Sequence, residues 1–124
     1  MDQKARRVAV AKAFRGAKVA LRKGHWRIVG DEVVWWVDLR AAGPRPDAAL
    51  TFEAGAWVEG TGPEPEGGAI DCPLLVDIPL GDDPAGEAAA LIARLTAIGT
   101  VAELRAADLP GAYLDASMKE LLGR

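Results

Sequence analysis

The sequence predicts an α+β fold in which an N-terminal amphipathic helix packs on an antiparallel sheet of about four strands, followed by two or three C-terminal helices. In the first part of the chain, apolar residues recur at the spacing of a helix. In the segments that follow, apolar and polar residues alternate as in strands, and helical spacing returns near residue 84. Strands that follow one another without intervening helices favour antiparallel pairing over alternating parallel units. The chain has 124 residues, which is the size of one domain. We therefore expect residues 1–124 to form a single core.

The first predicted element is a helix from Asp2 to about Lys23, because this stretch contains no proline and only one glycine. Its apolar positions recur at helical spacings of four, three and four, and they are Val10, Phe14, Ala17 and Leu21. Basic side chains occupy an adjoining arc, which makes the predicted helix amphipathic. Gly24 is expected to end it.

A β-hairpin is predicted next, with strands from His25 to Val29 and from Glu32 to Arg40. Gly30-Asp31 would form its two-residue turn, since glycine favours the first central position of such a turn. With the turn at these residues, Trp26 lies opposite Trp35 in the neighbouring strand.

Alternation along this hairpin separates its tryptophans, because neighbouring strand residues point to opposite faces of a sheet. Trp35 is expected in the core under the N-terminal helix, and Trp36 is expected on the second face, opposite His25. The first face collects only apolar side chains: Trp26, Ile28, Val33, Trp35, Val37 and Leu39. The second face collects a mixed set: His25, Arg27, Val29, Glu32, Val34, Trp36, Asp38 and Arg40.

In the rest of the chain, the spacing of apolar residues and the positions of proline and glycine predict the elements. Residues 41–47 and the acidic stretch 60–68 are predicted loops, because both are rich in proline and glycine. The remaining predicted elements are a strand over Leu50–Glu59, an edge strand over Leu74–Leu80, a helix capped by Asp83 and closed by Gly99, a capping-box helix from Val101 to about Ala107, and a last helix from about Ala112 to Leu122.

Charge divides the chain sharply: residues 1–27 carry a net charge of +8, and the remainder carries −11. A basic helix suggests binding to nucleic acid, because lysine and arginine neutralise phosphates. The overall acidity and the absence of a known reader motif disfavour that function, and we instead expect the basic helix to pair with the acidic body or to be solvated.

Composition limits the remaining classes of function. A single cysteine, Cys72, excludes an internal disulfide, and together with the single His25 it leaves too few ligands for a structural zinc site. No apolar run approaches the length of a membrane span. We expect a cytoplasmic protein that needs no metal or other cofactor and does not enter a membrane.

The second sheet face supplies the candidate binding residues. Trp36, Trp57 and His25 are predicted to share it with Arg27, and flat aromatic rings there would form a platform for a partner. The alternative is that the C-terminal helices cover this face and that the rings are ordinary packing.

His25 with Asp38 or Glu53 is the one plausible acid–base group, because histidine titrates near neutrality and a carboxylate can orient its ring. The alternative is a structural histidine at the junction between helix and strand. The leading prediction is a small non-enzymatic domain that binds a protein partner or a second copy of itself. A small enzyme that uses His25 is the second prediction, and nucleic-acid binding through the basic helix is the third.

The run LRKGHWRIVGDEVVWWVDLRAAG, residues 21–43, resembles a bacterial family known only as domain of unknown function forty-three-zero-four. The positions that carry the resemblance are Gly24, Trp26, Arg27, Val33 to Leu39 and Cys72. His25 stands where that family more often has phenylalanine. The resemblance implies an α+β fold and supplies no catalytic residue.

Overall fold

Six antiparallel strands form one sheet in simple chain order, from β1 at one edge to β6 at the other. The structure is a computed structural model that describes Met1–Arg124. Its elements are α1 Gln3–Gly16, β1 Ala20–Arg22, β2 His25–Val29, β3 Val33–Ala41, β4 Leu50–Val58, β5 Leu74–Pro79, α2 Pro84–Thr96, α3 Val101–Ala106, β6 Tyr113–Leu114 and α4 Ala116–Leu122. The predicted α+β class is confirmed, with two more strands than expected. None of the helices is long and apolar enough to cross a membrane.

Helix α1 is shorter than predicted, because it ends at Gly16 and not near Lys23. Lys18 has a φ of 60°, and this left-handed conformation turns the chain out of the helix. The next residues form β1, which pairs with β2 through a two-residue turn at Lys23-Gly24. Both turn residues have positive φ, 53° and 84°, as a tight hairpin of the I′ type requires.

The β2–β3 turn lies one residue later than predicted, at Asp31-Glu32. Trp26 is consequently opposite Val37 and not opposite Trp35. Close contact with the connection between α2 and α3 explains the shift. The amides of Glu32 and Val33 both donate to the carbonyl oxygen of Gly99, at 2.8 and 3.1 Å.

Glycine is needed at position 30 because the β2–β3 turn lies close to Gly99, and not because the turn requires a glycine conformation there. A Cβ atom at Gly30 would lie 2.5 Å from the Cα atom of Gly99, closer than packed atoms allow. The register moves by two residues, so each side chain keeps its predicted face.

The first face carries the main core, as predicted. Trp35 is buried there and donates its indole N–H to the carbonyl oxygen of Ile98, at 2.9 Å. Phe14 of α1 stacks on Trp26, with ring centroids 4.1 Å apart. All four α-helices contribute buried side chains to this one apolar cluster. The helices therefore lie on one side of the sheet.

The C-terminal elements correct two predictions. Tyr113 and Leu114 pair with β5 as strand β6, so the last helix begins at Ala116 and not near Ala112. Leu74 and Leu75 are consequently not at a sheet edge, whereas the rest of β5 is. The predicted capping box of α3 is confirmed, because Thr100 and Glu103 cap each other as expected.

Candidate functional site

The second face of the sheet holds the candidate site, and a connecting segment covers it. Residues 60–72, here called the cover segment, cross this face between β4 and β5. The buried residues beneath and within this cover are Val34, Trp36, Ala69 and Cys72, with Trp57 and Leu75 packed against them. The expectation that C-terminal helices cover this face is wrong.

Trp36 is only 2% exposed, so the expected open aromatic platform is wrong at this residue. Trp57, half-buried in β4, remains accessible in part. The indole nitrogens of both side chains are buried without a hydrogen-bond partner. A buried donor without an acceptor costs free energy, and most buried donors in folded proteins have a partner. Two unpartnered indole N–H groups on one sheet face are therefore unusual.

Glycine at position 55 lets the cover segment lie directly on the sheet. Gly55 is the β4 neighbour of Trp36. A Cβ atom there would lie 2.4 Å from the carbonyl oxygen of Ala69 and 2.7 Å from the Cβ atom of Cys72. The close approach of the two backbones is therefore possible only without a side chain.

A bidentate ion pair ties the cover segment to β2. Two of the three guanidinium nitrogens of Arg27, Nε and Nη2, donate to the Glu64 carboxylate at 2.7 Å, and the guanidinium carbon lies 5.8 Å from the Trp36 ring centroid. The hydrogen bonds from Arg27 lower the pKa of Glu64 below its ordinary value, and they raise the pKa of Arg27. A second pair joins Lys23 to Glu66 at 3.0 Å.

His25 and Asp38 form the other attachment. The Nδ1 atom of His25 lies 2.5 Å from one carboxylate oxygen of Asp38, and the other oxygen accepts the amide hydrogen of Ala69 at 2.9 Å. Gly68, with φ at 85°, brings the cover segment so close that a Cβ atom would lie 2.4 Å from Asp38. The ring of His25 meets Trp36 edge to face, with centroids 6.2 Å apart.

The structure brings His25 together with Asp38 and not with Glu53. Glu53 is the β4 neighbour of Asp38, but its carboxylate pairs with Arg40 at 3.2 Å. Arg40 also lies 3.6 Å from Asp77 on β5. Of the two carboxylates considered for an acid–base pair, only Asp38 contacts the imidazole.

Cys72 is a buried structural thiol. Its Sγ atom donates to the carbonyl oxygen of Gly68 at 3.6 Å. Burial, with smaller effects from nearby carboxylates, raises the pKa of Cys72 to about 12. Only the thiolate reacts as a nucleophile, so this thiol is inert while the cover segment is in place.

A cavity of about 100 Å³ opens beside Trp36 where the cover segment meets the β1–β2 turn. Its lining residues are Arg22, Lys23, Trp36, Glu64, Pro65 and Glu66. Sequence reasoning missed the two glutamates, because it treated residues 60–68 only as a flexible loop. The alternation of proline and glutamate in Pro63-Glu64-Pro65-Glu66 was the available signal, opposite the basic cluster at residues 22–27.

The basic residues of α1 do not make the expected pairing with the acidic body. Arg6 donates to the carbonyl oxygens of Leu80 and Gly81, and Arg7 donates to that of Leu39. The ion pairs between the two halves of the chain come instead from Lys23, His25 and Arg27. Charge complementarity therefore acts at the candidate site and not along the helix.

Comparison of the chain with protein-family models, curated proteins and solved structures finds no match. The resemblance of residues 21–43 to a family of unknown function stays a prediction. The site must be interpreted from its own geometry.

Proposed function

We propose that this protein is a small cytoplasmic, non-enzymatic domain that binds another protein at the second sheet face. One observation carries the proposal: residues 61–67, here called the acidic strap, lie over Trp36 but are held there by side-chain ion pairs. From residue 62 to residue 67 the backbone makes no hydrogen bond to other backbone groups.

Such an attachment favours exchange for a partner segment. The backbone of residues 62–67 makes no backbone hydrogen bond and the Lys23–Glu66 pair is largely exposed, so lifting the strap breaks chiefly one bidentate ion pair. This costs much less than opening the helix-covered core. The strap lies over tryptophan, a residue type that is enriched among the dominant contacts of protein interfaces. A partner that supplied an acceptor to an unpartnered indole N–H would remove the cost of burying it.

Photo-crosslinking in the native host tests this function. A photoreactive phenylalanine analogue would replace Pro63, which is exposed beside the site, and a matched control would carry the analogue in place of Ala89, exposed on α2. We expect a discrete protein adduct at position 63 and none at position 89. Trp57→Ala, with Trp57→Phe as a milder change, should weaken the adduct.

Equal crosslinking at both positions would overturn the proposal. So would an adduct at position 63 that neither Trp57 variant changes, provided that circular dichroism shows the native fold. The Phe variant keeps an aromatic ring in the sheet, so a folding defect in the Ala variant does not prevent a decision.

A small enzyme is the second candidate function, and the contact between His25 and Asp38 favours it. Asp38 binds Nδ1, which leaves Nε2 of a partly exposed imidazole available for proton transfer. The cavity beside Trp36 is not lined by His25, which is why we place this function second. Retained turnover in a His25→Asn variant, on any substrate found for the protein, would exclude it.

A further inference from the structure

The Arg27–Trp36 pair is built to hold a carboxylate. The Arg27 side chain is only 18% exposed, and its guanidinium lies over the indole ring and holds Glu64 through two parallel hydrogen bonds. Arginine matches a carboxylate through this planar fork. Such geometry suits a carboxylate or another oxyanion, and the carboxylate of Glu64 in the same chain now occupies it.

The segment that brings Glu64 to this pair resembles a docked peptide more than a part of the sheet. Two prolines, Pro63 and Pro65, alternate with the two glutamates that reach Arg27 and Lys23. Proline restricts the backbone to extended conformations and lacks an amide donor. Recognition thus depends on side chains spaced along an extended chain, which another protein can reproduce.

The site has three basic side chains, at positions 22, 23 and 27, whereas the strap has two carboxylates, and the charge of Arg22 already helps to lower the pKa of Glu64. Arg22 lines the cavity beside Glu64 and is exposed, but no carboxylate lies within ion-pair distance of it. An incoming segment with one more acidic side chain than the strap would gain this contact. Electrostatic complementarity of this kind selects partners.

Glycines allow the strap to move without disturbing its flanks. Gly60 and Gly62 have φ of 91° and 122°, and Gly68 has φ of 85°, so glycine conformations bound the strap on both sides. Beyond Gly68, the Ala69 amide remains fixed to Asp38. The strap can therefore lift while the end of the cover segment stays on the sheet.

We propose that the second face recognises an extended, carboxylate-bearing segment of a partner protein, and that residues 63–66 occupy this site in cis as a competing ligand. This inference rests on the proposed function, and it adds the chemistry of the partner and its regulation. A tethered ligand competes at a high effective concentration, so a trans segment with the same charge as the strap binds weakly, and a segment must contact the site better than the strap does to displace it.

A peptide copy of the strap tests the inference. The probes are a capped peptide with the sequence of residues 60–68, GTGPEPEGG, and a control peptide with glutamine in place of both glutamates. The proteins are the wild type and a Glu64→Gln/Glu66→Gln double variant, both full-length. Nuclear magnetic resonance follows the four tryptophan indole N–H signals during titration and also reports whether each protein is folded.

We expect the acidic peptide to bind the double variant at least about tenfold more tightly than the wild type, since the competing carboxylates are gone. Added salt should weaken this binding, the glutamine peptide should not bind, and Arg27→Gln in the double variant should abolish it. Equal affinity for both proteins, or equal affinity of both peptides, would overturn the inference.

The two proposals fail separately. If position 63 crosslinks to a protein but the peptide does not bind, a binding domain remains and the acidic class of partner is wrong. If the peptide binds but no protein crosslinks, the carboxylate site remains and its proposed cellular use is wrong.

Discussion

Removal of the Asp38 carboxylate is the most direct test of how the cover segment is held. In an Asp38→Ala variant, the buried amide of Ala69 loses its acceptor and His25 loses its partner. Nothing in the helix-covered core contacts this carboxylate through a hydrogen bond. The variant should therefore release the cover segment and leave the main core intact.

The magnitude follows from the amide that is left without a partner. A buried donor without an acceptor costs about 1–3 kcal/mol. At 1.4 kcal/mol for each tenfold change, the open form of the cover segment should become roughly 5- to 150-fold more populated. Because the contact with His25 is lost as well, we expect the increase in the open population to lie in the upper part of that range.

The single thiol provides the assay. Cys72 is buried and its pKa is about 12, so at pH 8 it reacts with a disulfide reagent only after the cover segment opens. In the open form the thiol should return to an ordinary pKa and react fast. The labelling rate of native protein then reports the opening equilibrium, and Asp38→Ala should raise it by the factor given above.

Asp77→Ala is the matched control, because Asp77 lies on the same face two strands away and makes only a 3.6 Å ion pair with exposed Arg40. Urea unfolding followed by tryptophan fluorescence measures global stability in parallel. Two results would show that Asp38 is not the attachment of the cover segment. One is that Asp38→Ala accelerates labelling no more than Asp77→Ala does. The other is that the increase in labelling rate equals the increase in global unfolding calculated from the measured loss of stability.

Three further predictions concern stability. Gly30→Ala should lower the free energy of unfolding by about 1–3 kcal/mol, because the added methyl group would overpack against the α2–α3 connection. Gly16→Ala should raise the free energy of unfolding by about 0.5–1 kcal/mol, because the space around Gly16 is open. Urea unfolding measures both changes. The folded-state pKa of Glu64 is lowered, so the ion pair contributes its full stability above the ordinary pKa of 4.5. The stability difference between wild type and Glu64→Gln should begin to shrink as pH falls below about 4.5, and it should vanish only below the lowered folded-state pKa. Lys18→Gly should stabilise the folded protein by up to about 1 kcal/mol, because lysine is strained at a φ of 60°. The control Lys12→Gly should destabilise the folded protein by about 1 kcal/mol, because glycine is unfavourable inside helix α1. Thermal unfolding measures the opposite shifts of the two variants.

The sheet faces could be predicted from the sequence, because period-two alternation depends only on local geometry. Trp35 and Trp36 lie on opposite faces whatever the register, since a shift by two residues changes no face. The turn position could not be predicted, because it depends on the contact between Gly30 and Gly99, which are far apart in the sequence. The end of α1 could not be predicted from turn composition, because the β1–β2 turn places Lys23, and not asparagine, aspartate or glycine, at a positive φ.

The candidate site could be predicted only in part. The contact between His25 and Asp38 was one of two pairings considered, and alternation alone could not choose between Asp38 and Glu53. The burial of Trp36 escaped prediction for a different reason. Loop composition describes flexibility and solvation, but it does not say that Glu64 will meet Arg27 across the sheet.

The candidate proton-transfer pair and the attachment of the cover segment share a single carboxylate. Asp38 uses one oxygen to orient His25 and the other to hold the Ala69 amide of the cover segment. Any event that moves the Ala69 end of the cover segment therefore changes the hydrogen bonding of the same carboxylate that orients the imidazole. A catalytic His25 would respond to the position of the Ala69 end of the cover segment, whereas a structural His25 would only help to hold that end. Asp38 is thus the residue at which proton transfer and the stability of the second face depend on one another, and displacement of the strap alone leaves both of its contacts in place.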